Sequence, residues 1–105
     1  MSQTIPTYEI TDKHVEQDEQ IRAELAELVD VSTFESNEVE YSISGDMIIL
    51  GTIHTECGEY LVQQNRTNGD FEIWCDIRGI LVRTGTVKRM AHTVNMDFMP
   101  NRVQW

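Results

Sequence analysis

The sequence predicts an α+β protein of one domain, in which an N-terminal amphipathic acidic helix packs on an antiparallel meander of about five strands. The hydrophobic spacing changes from a helical period to an alternating period near residue 38, and glycines separate the later apolar segments. The 105 residues are 40 % hydrophobic and 25 % charged, which is the composition of a single globular domain. The helix must cover one face of the sheet, which is either open or closed in part into a small barrel.

The helix is predicted over residues 12–30. Its apolar residues recur after four and then three positions, which places them on one helical face. The residues of this stripe are Ile21, Leu25 and Leu28. Thr11 or Asp12 can serve as the N-cap, because either side chain can accept a hydrogen bond from a free amide of the first turn.

The β-meander is predicted over residues 38–88. A strand with Val39, Tyr41 and Ile43 facing inward alternates with polar residues, so it is expected to be half-buried. The next strand starts with apolar residues on both faces, which favours a central position in the sheet. An Asn-Gly pair at positions 68 and 69 predicts a two-residue hairpin turn, and a turn of that length sets Cys75 opposite Val62.

The two ends of the chain are predicted to be less regular. Residues 1–11 are expected to be irregular or to add a short edge strand, because Pro6 cannot occupy a central strand. Residues 89–105 are predicted to form a C-terminal tail, since Pro100 ends any regular element there.

A cytoplasmic location, without membrane association, is the expectation from the chain's hydrophobic segments. The first residues have neither the cationic start nor the apolar core of a signal peptide. The longest wholly apolar run, residues 47–50, is too short to span a bilayer.

Charge is distributed very unevenly along the chain. The formal net charge is −10, and the first 46 residues carry all of it, with twelve acids against two bases. The other 59 residues are neutral as a group, although the last 28 are basic, with five cations and one acid. An asymmetry of this kind predicts the sign of a binding partner.

The leading hypothesis is a non-enzymatic binding protein whose acidic surface engages a basic protein partner. One version is an inhibitor of a nucleic-acid-binding protein, because carboxylates on a rigid helix and strand would imitate phosphates. The candidate contact residues are Glu16, Glu19, Glu24, Glu27, Glu38 and Glu40. The simpler alternative is that these side chains only keep the protein soluble. Direct binding of nucleic acid is disfavoured, because the chain lacks the high pI of such proteins.

Two further hypotheses stay open. The first is a small-ligand-binding protein or enzyme with a pocket between helix and sheet, in which four residues are candidates. These are Tyr41, His54, Trp74 and Asp76. The second is self-association, either of the acidic half of one copy with the basic end of another or of strand edges in a homodimer.

Catalytic and metal-binding motifs are weak. His54-x-x-Cys57 is a single imperfect pair that Cys75 or His92 would have to complete, whereas structural zinc sites use two pairs at fixed spacing. The glycines are scattered and form no phosphate-binding loop. The sequence therefore predicts no cofactor and no metal, and it favours a protein that is not an enzyme.

No motif identifies a family, but two resemblances follow from the order of the elements. A helix followed by a meander is similar to the cystatin-like group and to small acidic phage inhibitors that mimic DNA, a similarity of order and charge that transfers no residues. The central-strand pattern resembles that of the BON domain, a small lipid- or ligand-associated module. The pattern is Met47-x-Ile49-x-Gly51-x-Ile53. That family requires a second helix next, where this chain has Gly58 and the Asn-Gly hairpin.

Overall fold

The structure, a computed structural model, describes residues 9–36 and 38–98 of the chain. It confirms the predicted α+β class and shows an open antiparallel sheet. The elements in chain order are α1 (Asp12–Leu28), β1 (Phe34–Glu35), β2 (Glu40–Tyr41), β3 (Met47–Thr55), β4 (Gly58–Asn65), β5 (Phe71–Cys75), β6 (Gly79–Thr84) and α2 (Val87–Asp97).

The acidic strands β1 and β2 lie at one edge of the sheet, and β6, which carries Arg83, lies at the other. The order is β1-β3-β4-β5-β6, and β2 pairs with β3 beside β1. Both helices pack on one face, α1 over β3 and α2 over β5 and β6, and they contact each other. The opposite face, called the open face below, has no helix on it in the described part of the chain.

The hydrophobic core fills the layer between the helices and the sheet. Leu25 of α1 and Met90 and Val94 of α2 are fully buried, together with Ile53 and Ile73 of the sheet. Burial of each such side chain contributes about 1.5–3 kcal/mol, so this layer is the main source of stability. Neither helix in residues 9–36 and 38–98 is long and apolar enough to cross a lipid bilayer.

Helix α1 begins where the sequence predicts. The Thr11 hydroxyl accepts from the His14 amide at 3.2 Å, and the Thr11 amide donates to His14 Nδ1 at 3.3 Å. This reciprocal pair is a capping box with histidine in the place that glutamate usually takes. Residues 1–8 of the segment predicted to be irregular or an edge strand lie outside the described part of the chain.

The same helix ends two residues earlier than predicted, at Leu28 instead of residue 30. Val29 has an extended backbone, and Asn95 of α2 satisfies the groups on either side of it. The Asn95 side chain donates to the Leu28 carbonyl at 3.0 Å and accepts from the Asp30 amide at 2.9 Å. A contact with a residue 67 positions away therefore decides where α1 stops.

Strand β2 is shorter than predicted. Val39 and Tyr41 contact the core as expected, but Ile43 lies fully exposed in a turn, so the prediction that it faces inward is wrong. The carboxylate of Asp46 accepts from the hydroxyls of Ser42 and Ser44, at 2.9 and 2.6 Å. These two hydrogen bonds close the turn before Ile43 can join the strand.

The hairpin between β4 and β5 has a longer turn than predicted. Its closing hydrogen bond runs from the Asn65 amide to the Asp70 carbonyl at 2.8 Å, which leaves four residues in the loop. The change in loop length changes the register, so Val62 lies opposite Ile73, not opposite Cys75.

Helix α2 corrects the prediction that residues 89–105 form a tail and that the meander continues to residue 88. The helix covers 87–97, and Thr86 is its N-cap, accepting from the Arg89 amide at 3.1 Å. Met90, Ala91 and Val94 are buried at helical spacing, a stripe that the prediction of a tail, which relied on Pro100, did not take into account. Residues 99–105 lie outside the described part of the chain.

A bulge in β3 allows β1 to approach closely. The register shifts between Ile49 and Gly51, so Leu50 is an extra residue opposite β4. A Cβ atom on Gly51 would lie 2.6 Å from Cε1 of Phe34 and 2.9 Å from the carbonyl oxygen of Glu35. Only glycine therefore fits at this position with β1 in its present place.

Candidate functional site

Three of the six predicted contact residues lie in a row on the solvent side of α1. Glu16, Glu24 and Glu27 are exposed, and the described part of the chain offers none of them an ion pair or hydrogen bond. At 1.5 Å per residue the row is about 16 Å long. These three residues are called the acidic row below.

Glu19 is engaged within the molecule. Its carboxylate accepts from the Val39 amide at 2.9 Å and from Arg22 Nε at 2.8 Å. The hydrogen bond from Val39, followed by that from Arg22, holds the pKa of Glu19 below its ordinary value. Arg22 also donates to the Ser36 hydroxyl at 2.8 Å, so this group joins α1 to the segment that leads into β2.

Glu38 and Glu40 are exposed but lie apart from the acidic row. Tyr41 faces α1, and because successive strand residues alternate, Glu40 lies on the open face, where it is opposite Ile49. Glu38 directly precedes Val39, whose amide donates to the Glu19 carboxylate. The structure therefore divides the predicted acidic surface between the outside of α1 and the edge of the sheet.

His54 lies at the same edge, between two carboxylates of neighbouring strands. Its Nε2 is 2.7 Å from Oε1 of Glu35 on β1, and its Nδ1 is 3.0 Å from Oε2 of Glu59 on β4. The hydrogen bond with Glu35 is the main cause that raises the pKa of His54. His54 was predicted to line a pocket, and it instead forms an exposed ionic link across β1, β3 and β4.

The link at His54 predicts a pH-dependent stability. Because the pKa of His54 is raised on folding, its contribution is complete below the unfolded value of 6.5 and is lost as the pH rises through the folded value. We expect the difference in free energy of unfolding between the unmodified protein and His54→Gln to shrink as the pH rises above 6.5. Denaturant titrations at a series of pH values measure it. His92→Gln, on the exposed side of α2, is the control, and equal pH dependence of the two variants would contradict the expectation.

Tyr41, a second predicted pocket residue, belongs to a network beneath α1. Its hydroxyl donates to Oδ2 of Asp18 at 2.9 Å, and Nη2 of Arg66 donates to the same oxygen at 2.9 Å. Asp18 is only 4 % exposed. Burial first, and then the Asp18 carboxylate, raise the pKa of Tyr41 to about 12. The network joins the middle of α1 to β2 and to the end of β4, and Tyr41 does not line the cavity described below.

Trp74, a third predicted pocket residue, lies half-buried on the open face opposite Leu61. Two positions before it, Glu72 is fully buried on the same face, although strand alternation alone would expose it. Gln63 Nε2 donates to Oε1 of Glu72 at 3.1 Å, and Arg83 Nε is 3.4 Å from Oε2, an oxygen that accepts no hydrogen bond. No motif in the sequence signals this buried carboxylate.

A cavity of about 1090 Å³ lies at one end of the sheet, where the β3–β4 and β5–β6 turns meet the C-terminal end of α2. Its apolar lining comes from β4, β6 and the end of α2, and its charged lining from β4, the β5–β6 turn and α2. The apolar residues include Tyr60, Leu81, Val82, Met96 and Phe98, and the charged ones are Glu59, Asp76, Arg78 and Asp97. Of the four predicted pocket residues, Asp76 alone lines it.

A second bulge shapes this cavity. Ile73 pairs with Val82 and Trp74 pairs with Ile80, so Leu81 is an extra residue in β6. In such a bulge two successive residues oppose one, which is how Leu81 and Val82 both come to line the cavity. Sequence alternation assigns them to opposite faces and could not have placed both there.

Both cysteines, Cys57 and Cys75, are free thiols that line the cavity, the first exposed and the second buried. Within residues 9–36 and 38–98, no three side chains of histidine, cysteine, aspartate or glutamate are placed to hold a metal ion. The His54-x-x-Cys57 pair is divided, because His54 is bound to its two glutamates.

Comparisons of the chain with protein-family models, with curated proteins and with solved structures found no match. Three features of the described residues therefore remain as guides to function. They are the acidic row of α1, the charged edge with His54, and the cavity beside α2.

Proposed function

We propose that this chain is a small, acidic, cytoplasmic binding protein that acts through contact with a basic protein partner. The observation that carries the proposal is the acidic row, three exposed carboxylates to which the described residues present no hydrogen bond or ion pair. Arg22 is turned toward Glu19 and Ser36, which leaves Lys13 as the one cation on the exposed side of α1. A basic partner would supply the charges that the helix lacks.

The position of α1 supports this role, because the row is presented on a rigid element. The capping box at Thr11 holds one end of the helix, Asn95 holds the other, and the buried Asp18–Arg66 pair holds its middle. A surface that is already ordered loses less conformational entropy when it binds. Contact between the row and a cationic surface is therefore favoured without rearrangement of the fold.

The net charge of −10 supports the same proposal through kinetics. Long-range attraction raises the rate of encounter with a basic partner, and salt screens it over about 8 Å at physiological ionic strength. An inhibitor of a nucleic-acid-binding protein is one member of this class, since surface carboxylates stand in for phosphates.

The test neutralises the three carboxylates of the acidic row without changing the fold. We expect the triple variant Glu16→Gln, Glu24→Gln, Glu27→Gln to retain basic proteins from a lysate at least about tenfold less at low salt, because three exposed contacts lose their charge. High salt should have the same effect on the unmodified protein. Immobilised protein, elution with salt and mass spectrometry measure both effects.

A matched control separates the acidic row from net charge. Glu9→Gln, Glu56→Gln, Asp70→Asn removes three carboxylates outside α1 and has the same net charge as the row variant. Retention by this control should stay within about twofold of the unmodified protein. Equal losses in the two triple variants, or retention that does not respond to salt, would refute the proposal.

A further inference from the structure

The cavity beside α2 has an ordered apolar interior. The rings of Tyr60 and Phe98 meet edge-on with their centroids 5.6 Å apart, and the Thr33 hydroxyl donates to the Phe98 carbonyl at 2.7 Å. The bulge in β6 adds Leu81 and Val82 from the other side. A concave, largely apolar space with a few charged groups at its margin is the usual form of a small-molecule site.

The charged groups around the cavity are mainly negative. Asp76 and Asp97 contribute carboxylates, and so does Glu59, whose Oε2 is 3.0 Å from Nδ1 of His54. Among the described residues, Arg78 is the one lysine or arginine in the lining. The C-terminal end of α2 also borders the cavity and has no basic residue in its last turn. The carbonyl end of a helix carries the equivalent of about half a negative charge, which adds to the field of the carboxylates.

The C-terminal end of α1 lies close to that of α2, although no residue of α1 lines the cavity. Asn95, one residue before the cavity lining of α2 begins, binds the Leu28 carbonyl, so both helices end at the same place. The last turn of α1 also lacks a basic residue. Among the described residues, the C-terminal end of α2 and the exposed carboxylates of Asp76 and Asp97 therefore border the cavity together with one exposed arginine.

We propose that the cavity binds a small organic cation with an apolar body, such as an alkyl- or arylammonium compound. The apolar body would displace water from Leu81, Val82 and Phe98. The ammonium group would lie among the carboxylates and within reach of the aromatic rings, which attract cations through their faces. This site is distinct from the acidic row, and the proposal does not depend on the proposed function.

The test compares three probes of equal chain length by isothermal titration calorimetry. These are hexyltrimethylammonium, hexan-1-ol and hexyl sulfate. We expect the cation to bind at least about tenfold more tightly than the sulfate, with the alcohol between them, because the alkyl chain is the same and the head groups are positive, neutral and negative. Binding should also slow the reaction of the exposed Cys57 thiol with a disulfide reagent, since Cys57 lines the cavity.

Two substitutions one residue apart locate the site. Leu81→Lys places a cation in the cavity, and we expect it to abolish binding of hexyltrimethylammonium. Ile80→Lys makes the same change at a residue opposite Trp74 on the open face, and binding should stay within about twofold. If both variants bind like the unmodified protein, or both lose binding equally while folded, the assignment to this cavity is wrong.

A second pair of variants tests the charge without filling the cavity. Asp76→Asn, Asp97→Asn should weaken binding of the ammonium probe by about fivefold or more and leave hexan-1-ol unchanged. Glu56→Gln, Asp70→Asn, which removes two carboxylates outside the cavity lining, should leave both unchanged. If hexyl sulfate binds as tightly as the cation, the proposal is wrong. If the triple variant Glu16→Gln, Glu24→Gln, Glu27→Gln binds hexyltrimethylammonium like the unmodified protein, the cavity site is independent of the acidic row.

Discussion

Replacing Arg66 with methionine is expected to lower the free energy of unfolding by about 3–5 kcal/mol, because it leaves Asp18 charged and buried without its cation. The two side chains are 15 % and 5 % exposed, and they meet at 2.9 Å. Arg66 Nε also donates to the Gly45 carbonyl at 3.1 Å, so the same substitution removes a link between β4 and the turn before β3. Total stability is about 5–15 kcal/mol for a domain of this kind, so the loss is a large fraction of it.

Denaturant titration of Arg66→Met measures this loss, and Arg78→Met is the matched control. Arg78 is exposed in the β5–β6 turn, so its replacement should change stability by no more than about 0.5 kcal/mol. Arg66→Met should cost much less when Asp18 is already asparagine, because the uncompensated charge is then absent. Equal effects of Arg66→Met in the two backgrounds would contradict this explanation.

The consequence for function is that α1 should lose its fixed position together with the Asp18–Arg66 pair. The pair is the link between the middle of α1 and the end of β4. If the acidic row binds as a rigid surface, Arg66→Met should weaken retention of basic proteins although every carboxylate of the row is intact. Stability and binding measured on Arg66→Met therefore both depend on the Asp18–Arg66 contact.

Opposite effects are expected from the two members of the Glu72–Arg83 pair. Glu72→Gln should leave the free energy of unfolding unchanged or raise it by about 1 kcal/mol, because it removes a buried charge with one oxygen that accepts no hydrogen bond. The amide can still pair with Gln63, which donates to Oε1 at present. Arg83→Gln should lower the free energy of unfolding by about 2–3 kcal/mol, since it leaves the buried carboxylate without its cation.

The double variant completes the cycle. With glutamine at both positions, stability should return close to that of Glu72→Gln alone, because no buried charge remains to be compensated. Arg83 is 52 % exposed in its side chain, so solvent can hydrate it once Glu72 is neutral. A loss from Glu72→Gln greater than that from Arg83→Gln would show that the carboxylate contributes more than it costs.

The topology of the sheet separates the acidic strands from the strand that carries Arg83. β1 and β2, with their glutamates, both pair with β3 at one edge of the sheet, and β6 with Arg83 lies at the other edge. The acidic row lies on the helical side, Glu40 and His54 lie on the open face, and the cavity lies at the end of the sheet beside α2. Self-association of opposite edges stays a prediction of the same arrangement.

Elements defined by local signals were predictable. The N-cap, predicted at Thr11 or Asp12, is Thr11, and the apolar stripe of α1 is confirmed at Ile21 and Leu25, whereas Leu28 is exposed. Helix α2 was missed although Met90, Ala91 and Val94 have helical spacing, because the helix-breaking effect of Pro100 was extended too far toward the N-terminus. The cavity was missed because a bulge, which places Leu81 beside Val82, breaks the alternation on which prediction of faces depends.

The sequence by itself determined the class of fold, the start of α1 and the sign of the charge on the first half of the chain, because these depend on neighbouring residues and on composition. Tertiary structure alone decided which carboxylates are available. Glu19 is held by Val39, Asp18 is held by Arg66, and Glu16 remains exposed, although all three lie within four positions of one helix. The difference arises because hydrogen bonds between residues distant in the chain, together with strand register, select which side of each element faces solvent.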